Sequence, residues 1–353
     1  MTWTLHPATD LQRLAPEWDA LQRTTTNTPF LDTAFLVPML AVWGQGDEKL
    51  ALRRDATGAL TLGTIVRPLG KGRWETFQPS QLPLGPWVCE AATPLADAAA
   101  ELMRALPGLG LAVGLTQLDP RLHPRPADDE TLRTLDYVST SWVDIGGDFD
   151  TYWEARGKNL RQNTRKQRNK LEADGLATTM ECISTPDGVA AALADYGRLE
   201  STGWKAGTGT AIHPDNEQGR FYRQMLENFC SQGHGRIYRY RFGEQVVAMD
   251  LCIDNGPLVV ILKTAYDEAH NKLSPSTLMR QDQFRAWWEE GRYQRIEFYG
   301  KTLEWHTRWT EQHRVLYHAT RYRHAWLASL AARRQDGDGA EAPDANDASR
   351  PKA

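Results

Sequence analysis

Seven basic residues and no acidic one occur in the segment RGKNLRQNTRKQRNK, residues 156–170. In a helix, Lys158, Arg161 and Arg165 lie on one face at i+3 and i+4 spacing, and Arg168 continues that face. Like charges at this spacing repel one another, so the phosphates of a cofactor or of RNA would stabilise them. We therefore predict that Lys158, Arg161 and Arg165 bind substrate. The alternative is a solvated helix that joins two domains.

A second candidate site lies in KTAYDEAHNKLSPSTLMR, where a long apolar strand ends at Lys263–Tyr266 and a helix begins after a loop. Serine is a good N-cap, and proline suits the first helical turn. The free N–H groups and the positive end of the helix dipole make such a turn an anion site. Ordinary helix capping is the alternative. The cofactor-binding residues that we predict here are Lys263, Ser274, Ser276 and Thr277.

A third candidate is the glycine-rich segment LESTGWKAGTGTAIHP, which follows a helix predicted over residues 186–199. Loops held by a rigid scaffold often carry function, so we predict that Trp204 and Lys205 contact substrate. Glu200 lies just before them on the same segment. GTGTA is not a dinucleotide fingerprint, because it lacks the third glycine and a preceding strand.

The elements that must position these sites are predicted twice along the chain. Each half contains helices, a meander of strands, a further helix and a further strand, which predicts an α/β protein with two mixed sheets of similar topology. Its 353 residues suit about two domains. In the helix SPSTLMRQDQFRAWWEEG we expect Phe284, Trp287 and Trp288 on the buried side and Gly291 just past the end.

Composition excludes several other classes of protein. The net charge of −4 provides no overall basic field, so we predict no DNA partner. No apolar run reaches 18 residues, and the start MTWTLHPATD lacks a signal-peptide core, so we predict a cytoplasmic protein with no membrane span. The four cysteines are far apart, and the histidines do not match a metal spacing, so we predict no metal. Residues 331–353 are small and charged, which predicts a disordered tail.

Taken in this order, the three segments resemble GNAT-superfamily acetyltransferases of the CelD type, which are related to the FemABX peptidyltransferases. The resemblance includes WDALQRTTTNTPFLDTAF, KNLRQNTRKQRNKLEADG and ESTGWKAGTGTA, with Phe221 and Tyr222 after them. It ends with KTAYDEAHNKLSPSTLM and spans about residues 10–310. Two departures are Ser276, where the family has glycine, and Trp305–His306, where the family tends to have tyrosine–lysine. A histidine titrates near neutral pH, so His306 would substitute for the lysine as a donor or base.

The resemblance implies tandem GNAT-like folds and an acyltransferase. The ranges that we assign are 1–150 for a first domain with the acceptor cleft, 151–175 for a basic bridging helix, and 176–330 for a second domain with the acyl donor site. The donor pyrophosphate would rest on the turn Ser274–Thr277. Candidates for proton transfer are Glu200, Tyr266 and Asp267.

The function predicted from this resemblance is transfer of an acyl group from acetyl-CoA or another acyl-CoA, a co-substrate, to a small-molecule or sugar amine. No cofactor would be permanently bound. A FemABX-like peptidyltransferase, with aminoacyl-tRNA as donor and the basic helix on the RNA, is the first alternative. A non-catalytic accessory protein of polysaccharide biosynthesis is the second.

Overall fold

Helices and strands are mixed throughout the computed structural model, which describes residues 1–202 and 212–337. The elements of the first half are β1 (Thr2–Pro7), α1 (Ala15–Thr24), α2 (Thr33–Trp43), β2 (Lys49–Arg54), β3 (Leu60–Gly70), β4 (Arg73–Thr76), β5 (Trp87–Cys89), α3 (Leu95–Ala105), β6 (Ala112–Leu118) and β7 (Leu132–Asp144). The remaining elements are α4 (Phe149–Glu154), α5 (Lys158–Ala173), β8 (Thr178–Ile183), α6 (Pro186–Thr202), α7 (Glu217–Ser231), β9 (Gly235–Phe242), β10 (Gln245–Asp254), β11 (Leu258–Tyr266), α8 (Pro275–Glu290), β12 (Arg295–Glu297), α9 (Glu304–Thr307), β13 (His313–Tyr322) and α10 (Ala325–Gly337).

The second half repeats the element order of the first. A strand, two helices, a three-stranded antiparallel meander, a helix and a further strand occur as β1 to β6 and again as β8 to β12. In each half the strand that follows the single helix, α3 or α8, pairs in parallel with the last strand of the meander. These pairs are β6 with β4 and β12 with β11. The predicted α/β class and the tandem arrangement of two similar folds are therefore confirmed.

The expectation of two separate sheets is wrong. Within the described residues the strands form one sheet in the order β1-β2-β3-β4-β6-β13-β7-β12-β11-β10-β9-β8, with β5 added beside β3. β7 joins the halves, because Leu132–Ser141 pairs with β13 and Trp142–Asp144 pairs with β12. β13 inserts between β6 and β7, so a strand from the end of the chain completes the first half. Strand edges need hydrogen-bond partners, and each half supplies one to the other.

Among the described residues, three hydrophobic cores cover the two faces of this sheet. α1 and α2 of the first half share one core with α6 and α7 of the second half, on the same face. Phe35 and Phe221 meet edge to face there, with ring centroids 5.2 Å apart. On the opposite face, α3 covers the first half and α8 covers the second. The shared core fixes the two halves against each other.

α8 follows the amphipathic pattern of its sequence. Phe284, Trp287 and Trp288 are buried against the sheet, as predicted, because apolar side chains at this spacing share one helical face. Arg285 on the other side reaches Asp150, with Nη2 2.7 Å from Oδ1. Gly291 ends the helix with φ +65°, a left-handed conformation that glycine adopts at low cost.

Two predicted ranges need correction. The basic stretch 151–175 is two helices, α4 and α5, because the backbone at Gly157 is extended with ψ 137°. The tail predicted as disordered from residue 331 begins as helix, since α10 continues to Gly337. Residues 338–353 lie outside the described residues. In the part of the chain that the structure describes, no helix is long and apolar enough to span a bilayer.

Candidate functional site

A cleft opens where β11 and β12 part. The two strands pair in parallel over Leu258–Val260 and Arg295–Glu297. Beyond this point the chain turns toward β7, where Phe298 N donates to Ser141 O (3.2 Å) and the following residues stay on that strand. The register of β11 against β10 also shifts next to Leu251, which bends the strand. From Ile261 onward, β11 therefore presents a backbone edge to the cleft.

The N-terminus of α8 follows the end of β11 by a short 3-10 segment, Glu268–Leu273. The Ser274 backbone is left-handed, with φ +47°, and its side chain does not cap the helix. Its carbonyl instead accepts from the amides of Thr277 (2.9 Å) and Leu278 (3.2 Å). None of the backbone hydrogen bonds among the described residues uses the Ser276 amide. Ordinary serine capping is therefore not the role of Ser274, and one first-turn N–H is available to an anion.

The predicted basic helix, α5, packs against this N-terminus. Gln167 Nε2 donates to Ser274 Oγ (2.8 Å), and Arg168 Nη2 donates to Asp282 Oδ1 (2.6 Å) on α8. Arg168 therefore does not continue the solvent-facing charge row as the pattern predicted. Lys158 and Arg165 are exposed, while Arg161 is half-buried and donates to the carbonyl of Arg156 (3.1 Å).

The Lys263 side chain points away from α8, toward α6 and α7 on the other face of the sheet. Its ammonium lies 3.4 Å from Glu200 Oε1 and 3.1 Å from Gln218 Oε1, and it sits 5.3 Å from the centroid of the Tyr222 ring. Glu200 Oε2 also accepts from the Ile212 amide (2.8 Å). The structure thus brings the predicted donor residue Lys263 together with the predicted catalytic residue Glu200.

The pair formed by Glu200 and Lys263 is linked to the first half of the chain through Tyr222. The Tyr222 hydroxyl donates to Oε1 of Gln81 (2.9 Å), a residue of the loop after β4. Burial raises the pKa of Tyr222 above 10, so the hydroxyl stays protonated near neutral pH. The group formed by Glu200, Lys263, Gln218, Tyr222 and Gln81, here called the junction cluster, is therefore polar and crosses between the halves.

The other predicted site residues lie elsewhere. Tyr266 is at the end of β11 with 36% exposure, and burial of its ring raises its pKa, so the hydroxyl is a proton donor rather than a base. Asp267 caps the 3-10 segment, since its Oδ1 accepts from the Ala269 amide (2.9 Å) and its Oδ2 from Gln245 (2.9 Å). Trp204 and Lys205 lie outside the described residues.

A buried ion pair behind β11 was missed by the sequence reasoning. Arg280 of α8 lies with Nη2 3.1 Å from Asp250 Oδ2 and donates to Thr264 Oγ1 of β11 (2.8 Å). Both charged residues are almost fully buried. An aspartate within the apolar strand QVVAMDLCI was the available signal, because a buried carboxylate needs a partner. The pair ties α8 to the strand that borders the cleft.

His306 lies beside this pair and stays neutral. Burial, assisted by the positive charge of Arg280, lowers its pKa to about 4. Nδ1 accepts from the Leu303 amide (2.9 Å), which places the proton of the neutral ring on Nε2. With that tautomer the side chain can donate a hydrogen bond, whereas its only basic nitrogen is already occupied.

A second buried charge cluster joins the halves at β12. Arg314 of β13 donates to Asp119 Oδ2 (2.6 Å) and to Glu297 Oε2 (3.0 Å), and Tyr299 also donates to Asp119 Oδ2 (3.0 Å). Burial raises the pKa of Glu297 to about 7, although the charges of Arg314 and Arg121 oppose it. Among the described residues, no cluster of His, Cys, Asp or Glu has the composition to hold a metal ion.

In the first half, the gap between the corresponding strands, β4 and β6, is filled by the protein's own side chains and backbone. β4 and β6 are parallel and part after Glu75 and Gly114, as β11 and β12 do. The hydroxyls of Thr76 and Thr116 bond across the gap (2.5 Å), and Gln78 accepts from Thr116 Oγ1 (2.7 Å). Gly85 packs so tightly there that a Cβ atom would lie 2.2 Å from the Thr116 carbonyl oxygen. At this point of the first half, the gap between β4 and β6 is therefore occupied by protein atoms.

Comparison with known proteins supports the second half as a recognisable domain. Residues 158–307 match the model of the acetyltransferase (GNAT) domain family. This segment includes α5, β11, the N-terminus of α8 and His306. A search among curated proteins finds no significant match.

Solved structures resemble nearly the whole chain in fold. FemX matches with a TM-score of 0.59 and 10% identity, over 94% of this chain and 99% of FemX. The C-terminal domain of a candidate lysylphosphatidylglycerol synthetase from Agrobacterium fabrum matches with a TM-score of 0.54 and 14% identity, over 92% and 97%. L-PGS from Bacillus licheniformis matches with 0.50 and 14% identity, over 90% and 95%. The chain resembles GNAT-superfamily acyltransferases, and its relationship to FemX is one of fold.

Proposed function

Because the chain has the fold of GNAT acyltransferases, we propose that it transfers an acyl group from acyl-CoA to an amine, with the donor in the cleft between β11 and α8. The observation that carries the proposal is the combination of an open β11 edge with an α8 N-terminus whose Ser276 amide is available. Pyrophosphate is recognised by such helix N-termini, and an extended pantetheine arm can add to a strand edge. Ser274, Ser276 and Thr277 would hold the phosphates.

In this proposal the acceptor amine attacks the thioester carbonyl directly. The new C–N bond forms as the C–S bond breaks, the amine proton passes to a base, and the thiolate leaves and is protonated. A backbone N–H at the open edge of β11 would stabilise the oxyanion, and holding both reactants in line would supply much of the rate enhancement. Tyr266, whose raised pKa keeps it protonated, is suited to protonate the thiolate.

The acceptor would enter between the two halves, at the junction cluster. Glu200 is the candidate base, because its carboxylate is held by Lys263 and the Ile212 amide on that side of β11. Gln81 and Tyr222 would orient a polar acceptor such as a small-molecule or sugar amine. Asp267, at the end of β11, is a second candidate base, and its oxygens accept from the Ala269 amide and from Gln245.

A thermal-shift screen with acetyl-CoA, longer acyl-CoAs and tRNA tests the donor class. We expect an acyl-CoA to raise the melting temperature, because a ligand that binds the folded state stabilises it by mass action. Glu200→Gln should keep that shift and lose coenzyme A release when amines are supplied. No shift with any donor would contradict an enzymatic function and favour the non-catalytic accessory role.

An aminoacyl-tRNA donor is the second candidate, and one observation favours it. The exposed residues Lys158 and Arg165 of α5 lie on a helix that contacts the α8 N-terminus through Gln167 and Ser274. An RNA bound along α5 would reach the same cleft. A steep fall of tRNA affinity with salt would support it, because each phosphate contact releases counterions.

Reversing the charges of α5 tests its role with either donor. The double variant Arg161→Glu, Arg165→Glu is tested with the donor, acetyl-CoA or tRNA, that raises the melting temperature of the wild type. It should weaken binding of that donor by roughly tenfold or more. The melting temperature without ligand should barely change, because these side chains carry no buried ion pair. Arg23→Glu with Arg104→Glu, two exposed arginines elsewhere, is the matched control. Unchanged donor affinity in calorimetry would show that α5 is a solvated helix that connects the halves and does not bind the donor.

A further inference from the structure

A second cleft lies on the first half of the sheet, on the face opposite α3. It has a cavity volume of about 300 Å³ and lies over β4, β6 and β13, with Ala331 and Ala332 of α10 at its side. This volume is at the lower end of the range for small-molecule pockets. None of its lining residues belongs to the cleft between β11 and α8.

Small residues in the middle strand create this cavity. Ala112 and Gly114 of β6 lie between Arg73 and Glu75 of β4 on one side and Tyr322 and Thr320 of β13 on the other. The larger side chains of β4 and β13 therefore extend further above the sheet than those of β6 and form the two sides of the cavity. A Cβ atom at Gly114 would make ordinary contacts, 3.5 Å from Glu75 Cβ, so the space above the backbone is open.

One end of the cleft is positively charged. The side chain of Arg73 is exposed and makes no ion pair or hydrogen bond within the described ranges. Arg133 of β7 also lines the cleft, and its Nη1 donates to the carbonyls of Asp129 and Leu132, which leaves Nη2 and Nε for a ligand. Tyr322 lines the same end of the cleft. Burial raises its pKa, although the charges of Arg73 and Arg133 oppose that rise, so the hydroxyl stays protonated near neutral pH. Glu75 adds little negative charge, because its Oε1 accepts from Arg67 Nε (2.9 Å).

The rim of the same cleft is apolar. Leu69 is 43% exposed and Leu135 is 53% exposed, and both line the cavity. Tyr137 packs edge to face on His318, with ring centroids 4.7 Å apart. A cleft with cationic groups at one end and exposed leucines at its rim suits a ligand that has a charged head and an apolar body.

We propose that this cleft binds a small amphipathic carboxylate, held at its head by Arg73, Arg133 and Tyr322 and at its body by the leucines over Gly114. The two arginines supply charge-assisted hydrogen bonds, which are the strongest that a carboxylate forms with a protein. The protonated tyrosine adds a donor. None of its lining residues belongs to the donor cleft or to the junction cluster, so the ligand is an effector distinct from the acyl donor and from the acceptor amine.

Calorimetry with phenylacetate, octanoate and the neutral isostere phenylacetamide tests the proposal on the full chain. We expect phenylacetate or octanoate to bind with Kd below about 10 mM and phenylacetamide to bind at least several-fold more weakly. Arg73→Ala should weaken carboxylate binding by roughly tenfold and leave phenylacetamide unchanged, because it removes a charged partner from one ligand alone. Arg104→Ala on α3 is the matched control and should change neither.

A substitution that fills the cavity above β6 tests the proposal independently of the arginine variant. Gly114→Val should abolish binding of both carboxylates, because its side chain occupies the cavity, while an unchanged melting temperature shows that the strand tolerates it. The absence of saturable carboxylate binding in the wild type would overturn the proposal. So would binding that survives both Gly114→Val and Arg73→Ala. Neither outcome bears on acetyl-CoA binding, which tests the proposed acyltransferase function separately.

Discussion

Ser276→Asp should abolish acyl-CoA binding, with affinity falling by more than roughly 100-fold. The new carboxylate would face the donor phosphates at the α8 N-terminus, and two like charges about 4 Å apart repel by about 4 kcal/mol at an effective dielectric of 20. The fold should not suffer, since an acidic residue in the first turn of a helix stabilises it by about 0.3–1 kcal/mol. Calorimetric titration with acetyl-CoA measures the loss.

Two further replacements at this position separate charge from shape. Ser276→Asn has nearly the volume of the aspartate without its charge, so it should retain most of the acetyl-CoA affinity. Ser276→Gly should keep or improve affinity if the serine crowds the pyrophosphate, and lower it modestly if the hydroxyl binds. Acetyl-CoA binding to the Ser276→Asp protein with wild-type affinity would remove this turn as the donor site.

Arg314→Met should lower the free energy of unfolding by about 3–5 kcal/mol at pH 8. It leaves Asp119 and Glu297 buried without their main cationic partner, and a buried charge that loses its partner is costly. Burial would raise the pKa of Asp119, yet the hydrogen bonds and charge of Arg314 hold it below its usual value. Urea unfolding at several pH values measures the change.

The pH dependence of this variant identifies the buried acids as the cause. The pKa of Glu297 is already raised to about 7 in the folded protein, against 4.5 for an ordinary glutamate. A raised carboxyl pKa means that the folded state binds the proton more tightly, so stability rises as pH falls from above 7 toward 4.5. The loss in Arg314→Met should therefore be smaller at pH 5.5 than at pH 8.

Glu297→Gln in the Arg314→Met background is the matched control. It removes one of the two unpaired acids, so it should recover part of the lost stability at pH 8 and flatten the dependence on pH between 5.5 and 8. A loss of less than about 1 kcal/mol in Arg314→Met at pH 8 would contradict the assignment, because such a small effect is typical of exposed ion pairs.

The amino-acid sequence by itself determined the local elements. The periodicity of α8 identified its buried aromatic face, and Gly291 identified its end, because side-chain spacing and glycine's access to positive φ act within a few residues. The charge pattern of 156–170 likewise predicted a helix, found as Lys158–Ala173. The repeated element order predicted two similar folds in tandem, and the resemblance of the motifs implied that they are GNAT-like.

Tertiary structure decided how the two halves join. A strand pattern does not state its partner, and the insertion of β13 between β6 and β7 depends on an edge that only the folded first half provides. Two separate sheets were therefore the natural expectation from the sequence, and the structure has one. The same holds for Arg314 and Asp119, which lie 195 positions apart along the chain.

The candidate site was likewise predicted in part. The turn at Ser274–Thr277 begins α8, as the strand-to-helix pattern predicted, but the left-handed backbone of Ser274 and its contact with Gln167 were not visible in the sequence. Lys263 follows the bend of β11 toward Glu200 rather than toward that turn. A shift of register moves a side chain to the other face of a strand, and register is a property of the assembled sheet.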